Sequence, residues 1–415
     1  GFKVTLLEAA PQLGGRARSV DFGSHRVDNG QHLFVSGYHH VFDLLKLIGQ
    51  NPKDVFEKHP FTWHLLGETS FEMRFLNLKA PFHALGGILF AKGLSLTEKW
   101  QLICFSRHLL TTSLLPSVSV KEYIQKFQSP KLIKMLWEPM CVAALSTPIE
   151  KASLDVFRRV LLDAFQKKAF SDLCFAKKDL SALLPIPAEV YLEKLGAKVF
   201  TRQRVKSLWM KEGRCLGVQT QDKNFMGEVV LALPFAALPP LLSSIPEAQS
   251  LLKNVQSFHH EPITTVYLQY AVKTKLPFPM IGLEGRLGHW VFDRAFADQP
   301  GLMAVVITGE GKHLHMPHDE LALIIAKELE TTWPWLKKPK DTRVIHEKRA
   351  AFSCQVHTNP LRPSYLTNIP GLSLAGDYCQ TPYPATLEGA VMSGKLCADQ
   401  LRELKNEPPK EVLCA

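Results

Sequence analysis

Two strand-to-turn signatures, one at each end of this 415-residue chain, constrain its fold more than anything between them. Residues 3–8 (KVTLLE) form an apolar, β-forming run closed by an acid, Glu8, and Gly14-Gly15-Arg16 follow shortly after. Residues 372–377 (LSLAGD) form a second such run, which delivers Gly376-Asp377 to a loop before a helical stretch opens at Thr386. Parallel strands need long crossover connections. Two strands so far apart that feed similar loops therefore argue for one sheet interrupted by large insertions.

The rest of the pattern fills in that scheme. Residues 20–27 read as a hairpin around Gly23, and 41–48 have helical spacing stopped by Gly49. Residues 63–76 look extended. Residues 81–115 are apolar with scattered Gly and cations and read as two or three helices, and 152–170 as an amphipathic helix with Arg158, Arg159, Lys167 and Lys168 off its apolar stripe. Strands follow at 198–208, 216–220, 228–233, 264–271, 289–292 and 302–308, then a helix over 318–330 and a last one over 386–401. The expected fold class is α/β: a Rossmann-like nucleotide-binding domain over residues 1–62, 196–245 and 366–405. A mixed α+β substrate domain interrupts it over 63–195, mostly helical, and 246–365. Residues 406–415 read as a polar tail. The chain starts Gly1-Phe2 without Met. The glycine-rich loop G-x-G-x-x-G that belongs before an acid-ended strand is expected upstream, within roughly 25–30 residues of strand and helix.

Each end carries groups suited to a dinucleotide. An acid at the end of a strand accepts hydrogen bonds from ribose hydroxyls in doubly wound nucleotide sites. Gly14 and Gly15 permit close backbone approach, and Arg16 can pair with phosphate. Asp377 can accept from polyol hydroxyls, and the helix start near Thr386 offers free N–H groups and a positive dipole end. Taken singly, each motif also suits an ordinary turn, as does Asp28-Asn29-Gly30-Gln31-His32; their order along one chain is what joins them.

Composition narrows the partners. Apolar residues make up 46% and charged residues 21%, as in a globular protein with a full core. Lys and Arg number 49 against 39 Asp and Glu, a net charge of +10. No basic stripe with interleaved aromatics stands out, so nucleic acid is not expected. The positive charge accompanies apolar stretches, which points to an anionic membrane surface. No apolar run is long enough to span a bilayer; the longest, 229–242, contains Pro234, Pro239 and Pro240. Attachment is therefore expected to be peripheral, with 81–115 and the basic face of 152–170 as docking candidates. The eight cysteines are scattered without a CxxC, so they read as reduced thiols of a cytoplasmic protein and not as a zinc site. His313, His315 and His318 have metal-like spacing, but Asp319 and Glu320 suit the first turn of a helix, so no metal is expected.

The segments ExxxxxGGR (Glu8 to Arg16) and LAGDYCQTPYPATLEGAVMSG (Leu374 to Gly394) resemble the flavin-dependent amine oxidase and phytoene desaturase superfamily. VDNGQHLF, LWEPMCVAALSTP and EGAVMSG are similar to a narrower group within it, the squalene-associated FAD-dependent desaturases or hydroxysqualene dehydroxylases. This resemblance implies FAD as cofactor and a C30 isoprenoid lipid as substrate in squalene and hopanoid biosynthesis. It implies reduction of hydroxysqualene to squalene with loss of water, at the inner face of the cytoplasmic membrane. It implies that Glu8 holds the adenosine ribose, that Gly14, Gly15 and Arg16 line the pyrophosphate side, and that Gly30, Gln31 and His32 lie near the flavin. Val205 would bind adenine through its backbone, Gly376 and Asp377 the pyrophosphate or ribityl chain, and Thr386 and Leu387 the pyrimidine end. Trp137, Glu138 and Tyr383 are the pocket candidates, with Glu138 or Tyr383 as proton donor, Glu138 only if it is buried and protonated. Ser146 stands where the group has Asn. The alternatives are a desaturase or amine oxidase acting on another substrate and a non-catalytic lipid-binding remnant. The electron donor is left open.

Overall fold

The structure, a computed structural model, describes residues 2–68, 70–112, 117–404 and the backbone of 411–414. Its first layer is a five-stranded sheet ordered Leu372–Leu374, Glu228–Leu231, Glu411–Cys414, Lys3–Leu7, Lys198–Phe200. Every pairing in it is parallel. All five strands thus end on one edge, and the two signature strands feed that same edge. Three inter-strand steps separate them, about 14 Å at the usual spacing.

One strand of this sheet differs from the sequence reading. Glu411–Cys414, read as part of a polar tail, lies between Lys3–Leu7 and Glu228–Leu231. Four residues surrounded by charge and proline carry no periodic signal. Two parallel neighbours that both present unpaired backbone groups nevertheless recruit them, because buried N–H and C=O groups must be paired.

A seven-stranded mixed sheet forms the second layer. Its order is Asp341–Phe352, His260–Gln269, Leu302–Thr308, Trp290–Asp293, Met280–Leu283, Thr62–Leu66, Phe71–Arg74. Side chains alternate across a strand, and this sheet uses both faces. Val266, Leu268, Met303 and Val305 pack with Leu321, Ile325 and Leu329 of the helix His318–Thr332. Tyr267, Leu302, Ala304 and Val306 face the main core on the other side. That double burial explains why these strands read as nearly continuous apolar runs.

The helical part packs on the main core. Residues 81–115 contain two helices, Phe82–Leu89 and Leu96–Thr111, the second opened by a Ser95–Glu98 capping box; residues 113–116 lie outside the described residues. The expected 152–170 helix runs over Leu154–Phe165 and gives way to a single 3₁₀ turn, Lys168–Phe170. Its cations are tied down internally: Arg158 donates to the carbonyls of Leu109 and Thr112, Arg159 pairs with Asp163, and Lys168 with Asp172. Ser146 ends the helix Glu138–Leu145 at φ +51°, the left-handed region that Asn tolerates better than Ser. The hairpin Ser19–Phe22/His25–Asp28 turns at Gly23, and Gly49 follows the helix His39–Leu47. The seven described cysteines are free thiols, six of them buried.

Candidate active site at the carboxyl edge of the parallel sheet

Glu8 leaves the sheet edge with its carboxylate accepting from the Ala10 N–H at 2.7 Å. Its N–H donates to the Phe200 carbonyl, and its own carbonyl accepts from Gln203 N–H. These bonds bind Glu8 to the 201–206 segment that carries Val205. The Val205 backbone itself forms no hydrogen bond among the described residues. An N–H and C=O left free beside a carboxylate fit an adenosine moiety, which needs both a backbone partner and a ribose acceptor.

The Gly-Gly turn follows. Gly14 has φ +109°, and a Cβ there would stand 2.6 Å from the Ala17 carbonyl oxygen, which a side chain could not relieve. Gly15 has φ +55° with open space where its Cβ would be. The turn aims Arg16 across the edge, where Nη2 meets Asp377 Oδ1 at 2.7 Å and Nη1 donates to the Ala350 carbonyl at 2.7 Å. The two ends of the chain therefore close on one another through an ion pair. Asp377 is set by Gly376, whose N–H donates to Ser393 Oγ and whose missing Cβ would lie 2.6 Å from the Tyr378 ring.

Gly30, Gln31 and His32 leave the Ser19–Asp28 hairpin beside the mixed sheet. Gln31 Oε1 accepts from Arg294 Nη1 at 2.5 Å, and Gln31 N–H points at Thr265 Oγ1. Arg294 is 1% exposed and also donates to Gln299 while lying 3.6 Å from Asp28. His32 Nδ1 is 2.7 Å from the Gly30 carbonyl. A carbonyl only accepts, so Nδ1 carries the proton. Burial holds the His32 imidazole below its ordinary pKa despite the nearby Asp28, so the ring is neutral.

The third wall is the start of the helix Leu387–Glu403. Thr386 caps it, Oγ1 accepting from Gly389 N–H, and Leu387 packs into the cluster around Phe34 and Phe42. Glu388, which sequence reasoning missed, is fully buried, and its two oxygens accept from His40 N–H and Val41 N–H at 2.9 and 3.0 Å. It locks this helix to the start of His39–Leu47 by satisfying that helix's free donors. Burial raises its pKa against those two bonds. Arg294 was also missed: a lone arginine after a strand carries no local signal of its partners. Tyr383 is half-buried beside Asp163 and Arg159; burial and then Asp163 push its phenol well above the usual range.

Two of the pocket candidates do not join this group. Trp137 is buried in the helical core, its Nε1 donating to Gln128 Oε1 at 2.9 Å and its ring against Phe105 and Phe157. Glu138 is exposed, next to Glu150, Lys121 and Lys134. Partial desolvation and Glu150 raise its pKa, but an exposed carboxylate between two lysines is not the buried, protonated acid that the reading required. Glu138 lies within one unbroken helical stretch from Pro130 to Leu145, where successive side chains point about 100° apart, so Trp137 faces the core and Glu138 faces solvent. No group of three His, Cys, Asp or Glu is placed to hold a metal among the described residues.

The arrangement suits a long dinucleotide: a ribose acceptor and free backbone at one end, open glycine backbone and a guanidinium in the middle, a capped helix start at the other. Comparison with known proteins agrees. A hydroxysqualene dehydroxylase from Zymomonas mobilis is 25% identical over 423 residues, covering 96% of this chain and 93% of that one. A zeta-carotene desaturase from Synechocystis is 24% identical over 458 residues, covering 97% and 92%. An oxidoreductase from Methanosarcina mazei shares the fold at TM-score 0.76 and 14% identity, covering 96% and 94%. The family of flavin containing amine oxidoreductases matches residues 1–402. The match thus takes in both signature strands and everything inserted between them, and this chain belongs to that family as an FAD-dependent oxidoreductase.

Proposed function

We propose that this protein reduces hydroxysqualene to squalene. The observation that carries this reading is an aromatic cluster that begins close to Tyr383, at the edge of the cofactor site. Asp163, beside Tyr383, is two residues from Phe165, and Phe165, Phe61 and Phe75 pack with ring centroids 4.7 to 5.3 Å apart. Such faces suit an isoprenoid and the positive charge that develops at an allylic carbon. The similarity to a hydroxysqualene dehydroxylase over nearly the whole chain supports the same substrate.

Held by the residues around Glu8, Arg16, Asp377 and Thr386, FAD in its reduced form would supply the hydride needed at the carbon that bears the hydroxyl. The C–O bond breaks and the oxygen leaves as water, so one proton must be delivered. Tyr383 is the proton holder in this reading because it is the phenol at the edge of the site; burial and Asp163 hold its proton more tightly than usual, so its part is to hydrogen-bond the departing oxygen while the proton is passed on. Gly30, Gln31 and His32 line the flavin side, where neutral His32 adds no charge that would compete with the developing cation. Tyr383→Phe is expected to lower kcat at least tenfold with FAD still bound; unchanged kcat would remove Tyr383 from the mechanism.

A C30 substrate dissolves in lipid, so we place the protein peripherally on an anionic membrane. Phe82, Leu89, Phe90, Leu96 and Trp100 are exposed on and between the two helices after residue 81, Phe90 at 75% and Leu96 at 84%. Lys79, Lys92 and Arg107 are exposed on the same helical part. No helix among the described residues is long and apolar enough to cross a membrane.

Desaturation of a carotenoid-like polyene is the second reading, favoured by the zeta-carotene desaturase likeness. Anaerobic turnover decides between them. Squalene formed from hydroxysqualene by the reduced enzyme supports the first; oxidation of phytoene by the oxidised enzyme, with no squalene, replaces it.

A further inference from the structure

Arg362 is a large buried cation that the cofactor and substrate readings leave unused. It is 4% exposed and follows the turn Asn359–Leu361. Its Nη2 donates to the carbonyls of Asp377 at 2.9 Å and Cys379 at 2.6 Å and to Thr381 Oγ1 at 3.0 Å. Its Nη1 donates to the carbonyls of Thr381 and Tyr383, both at 2.8 Å, and reaches Asn359 Oδ1 at 3.3 Å. Nε faces the Tyr378 carbonyl at 3.4 Å, and the guanidinium lies over the Phe352 ring, 5.0 Å from its centroid. A second bond, Gln380 N–H to the Pro363 carbonyl, ties the same two segments together.

Two features set this apart from an ordinary buried arginine. Its acceptors are carbonyl, hydroxyl and amide oxygens, with no carboxylate among them; the side chain of Asp377 is taken by Arg16. Its nearby carboxylate, Asp377, is hydrogen-bonded to Arg16, so two guanidinium groups share one counter-charge; burying the second is costly, and the fold retains it against that penalty. The carbonyls it gathers also belong to a single stretch, 377–383, which has no regular secondary structure and contains Pro382. That stretch carries Asp377 and Tyr383 and runs directly into Thr386, the cap of the last helix. One rigid, planar donor fork thereby sets the path of a loop to which the backbone adds the bonds from Cys379 N–H to the Gly376 carbonyl and from Gln380 N–H to the Pro363 carbonyl.

We infer that Arg362 is the positioning residue for the FAD site: it holds the 377–383 loop in its binding shape, and the net positive charge it leaves on the Arg16–Asp377–Arg362 group favours the reduced, anionic form of the flavin. The inference rests on the family and its FAD and is independent of the substrate. Arg362 touches neither reactant. It acts through Asp377 and Tyr383 on one side and through its field on the other, which is strong at close range in a water-poor interior.

The test uses the purified holoprotein and the variants R362K and R362M. FAD affinity is read by flavin fluorescence on dilution, and the reduction potential by equilibration with a redox dye. R362K and R362M are both expected to weaken FAD binding about 10- to 100-fold, since each loses several charge-assisted hydrogen bonds. R362M alone is expected to lower the flavin potential, because lysine keeps the charge. A merely structural arginine would lower thermal stability in both variants and leave the potential of the bound flavin unmoved, and that result overturns the electrostatic half. Wild-type FAD affinity in R362M overturns the positioning half. If R362M does not fold, R362K beside T381A carries the test. Weakened FAD in both at native circular dichroism supports the inference, and native affinity in both sinks it.

Discussion

The ion pair between Arg16 and Asp377 is where the two ends of the chain close. At 2.7 Å and an effective dielectric of about 20, the raw attraction is roughly 6 kcal/mol. Most of this is offset. The Asp377 side chain is 9% exposed, so its carboxylate has given up nearly all its water, whereas Arg16 at 33% keeps part of its hydration and is screened. A net coupling of about 1–2 kcal/mol remains between the exposed and buried limits. Arg16→Met, Asp377→Asn and the double variant form a cycle that isolates it. Specific unfolding entropy implies that 1 kcal/mol moves Tm by about 1–2 °C in a chain this long. The double variant should therefore melt about 2 °C higher than the sum of the single losses predicts. The measurement is differential scanning calorimetry at saturating FAD and low salt, repeated at high salt, where the coupling should shrink. Strictly additive losses at both salt concentrations would refute the closure.

Three further outcomes follow from the same geometry. Gly14→Ala should cost roughly 3 kcal/mol or more and weaken FAD, since it combines a left-handed backbone with a 2.6 Å clash against a main-chain oxygen; an unchanged Tm would show that the turn relaxes freely. Burial lowers the pKa of seven histidines, 32, 64, 83, 260, 289, 313 and 346. Each binds its proton less readily folded than unfolded, so stability is expected to fall as pH drops through about 6.5, before carboxylates titrate. A Tm flat between pH 7.5 and 5.5 would contradict this. Phe90→Glu with Trp100→Glu should abolish flotation with anionic liposomes while leaving FAD absorbance intact; flotation equal to wild type would move the docking face elsewhere.

Much of this site can be read from sequence because its elements are local. A β-forming run closed by Glu8, a Gly-Gly turn, a second run ending Gly376-Asp377 and a capped helix at Thr386 are each specified within a few residues. The hairpin over residues 19–28 and the apolar strands of the mixed sheet are legible for the same reason. Local physics is misleading where a side chain's environment is set by distant segments. Trp137 and Glu138 are adjacent in sequence, yet one is core and the other solvent-facing, because successive residues of a helix point about 100° apart and the packing around this helix decides which face is buried.

Most strands, turns and caps are local properties, since backbone preference and hydrophobic period act over short stretches. Partnership is not local. Arg16 meets Asp377, Arg294 meets Gln31, Glu388 caps a helix that begins at residue 39, Arg362 gathers the 377–383 carbonyls, and 411–414 enter the sheet. A buried charge or unpaired strand edge must find a partner, but nothing near it in the chain says which one; the packing of the two sheets makes that choice.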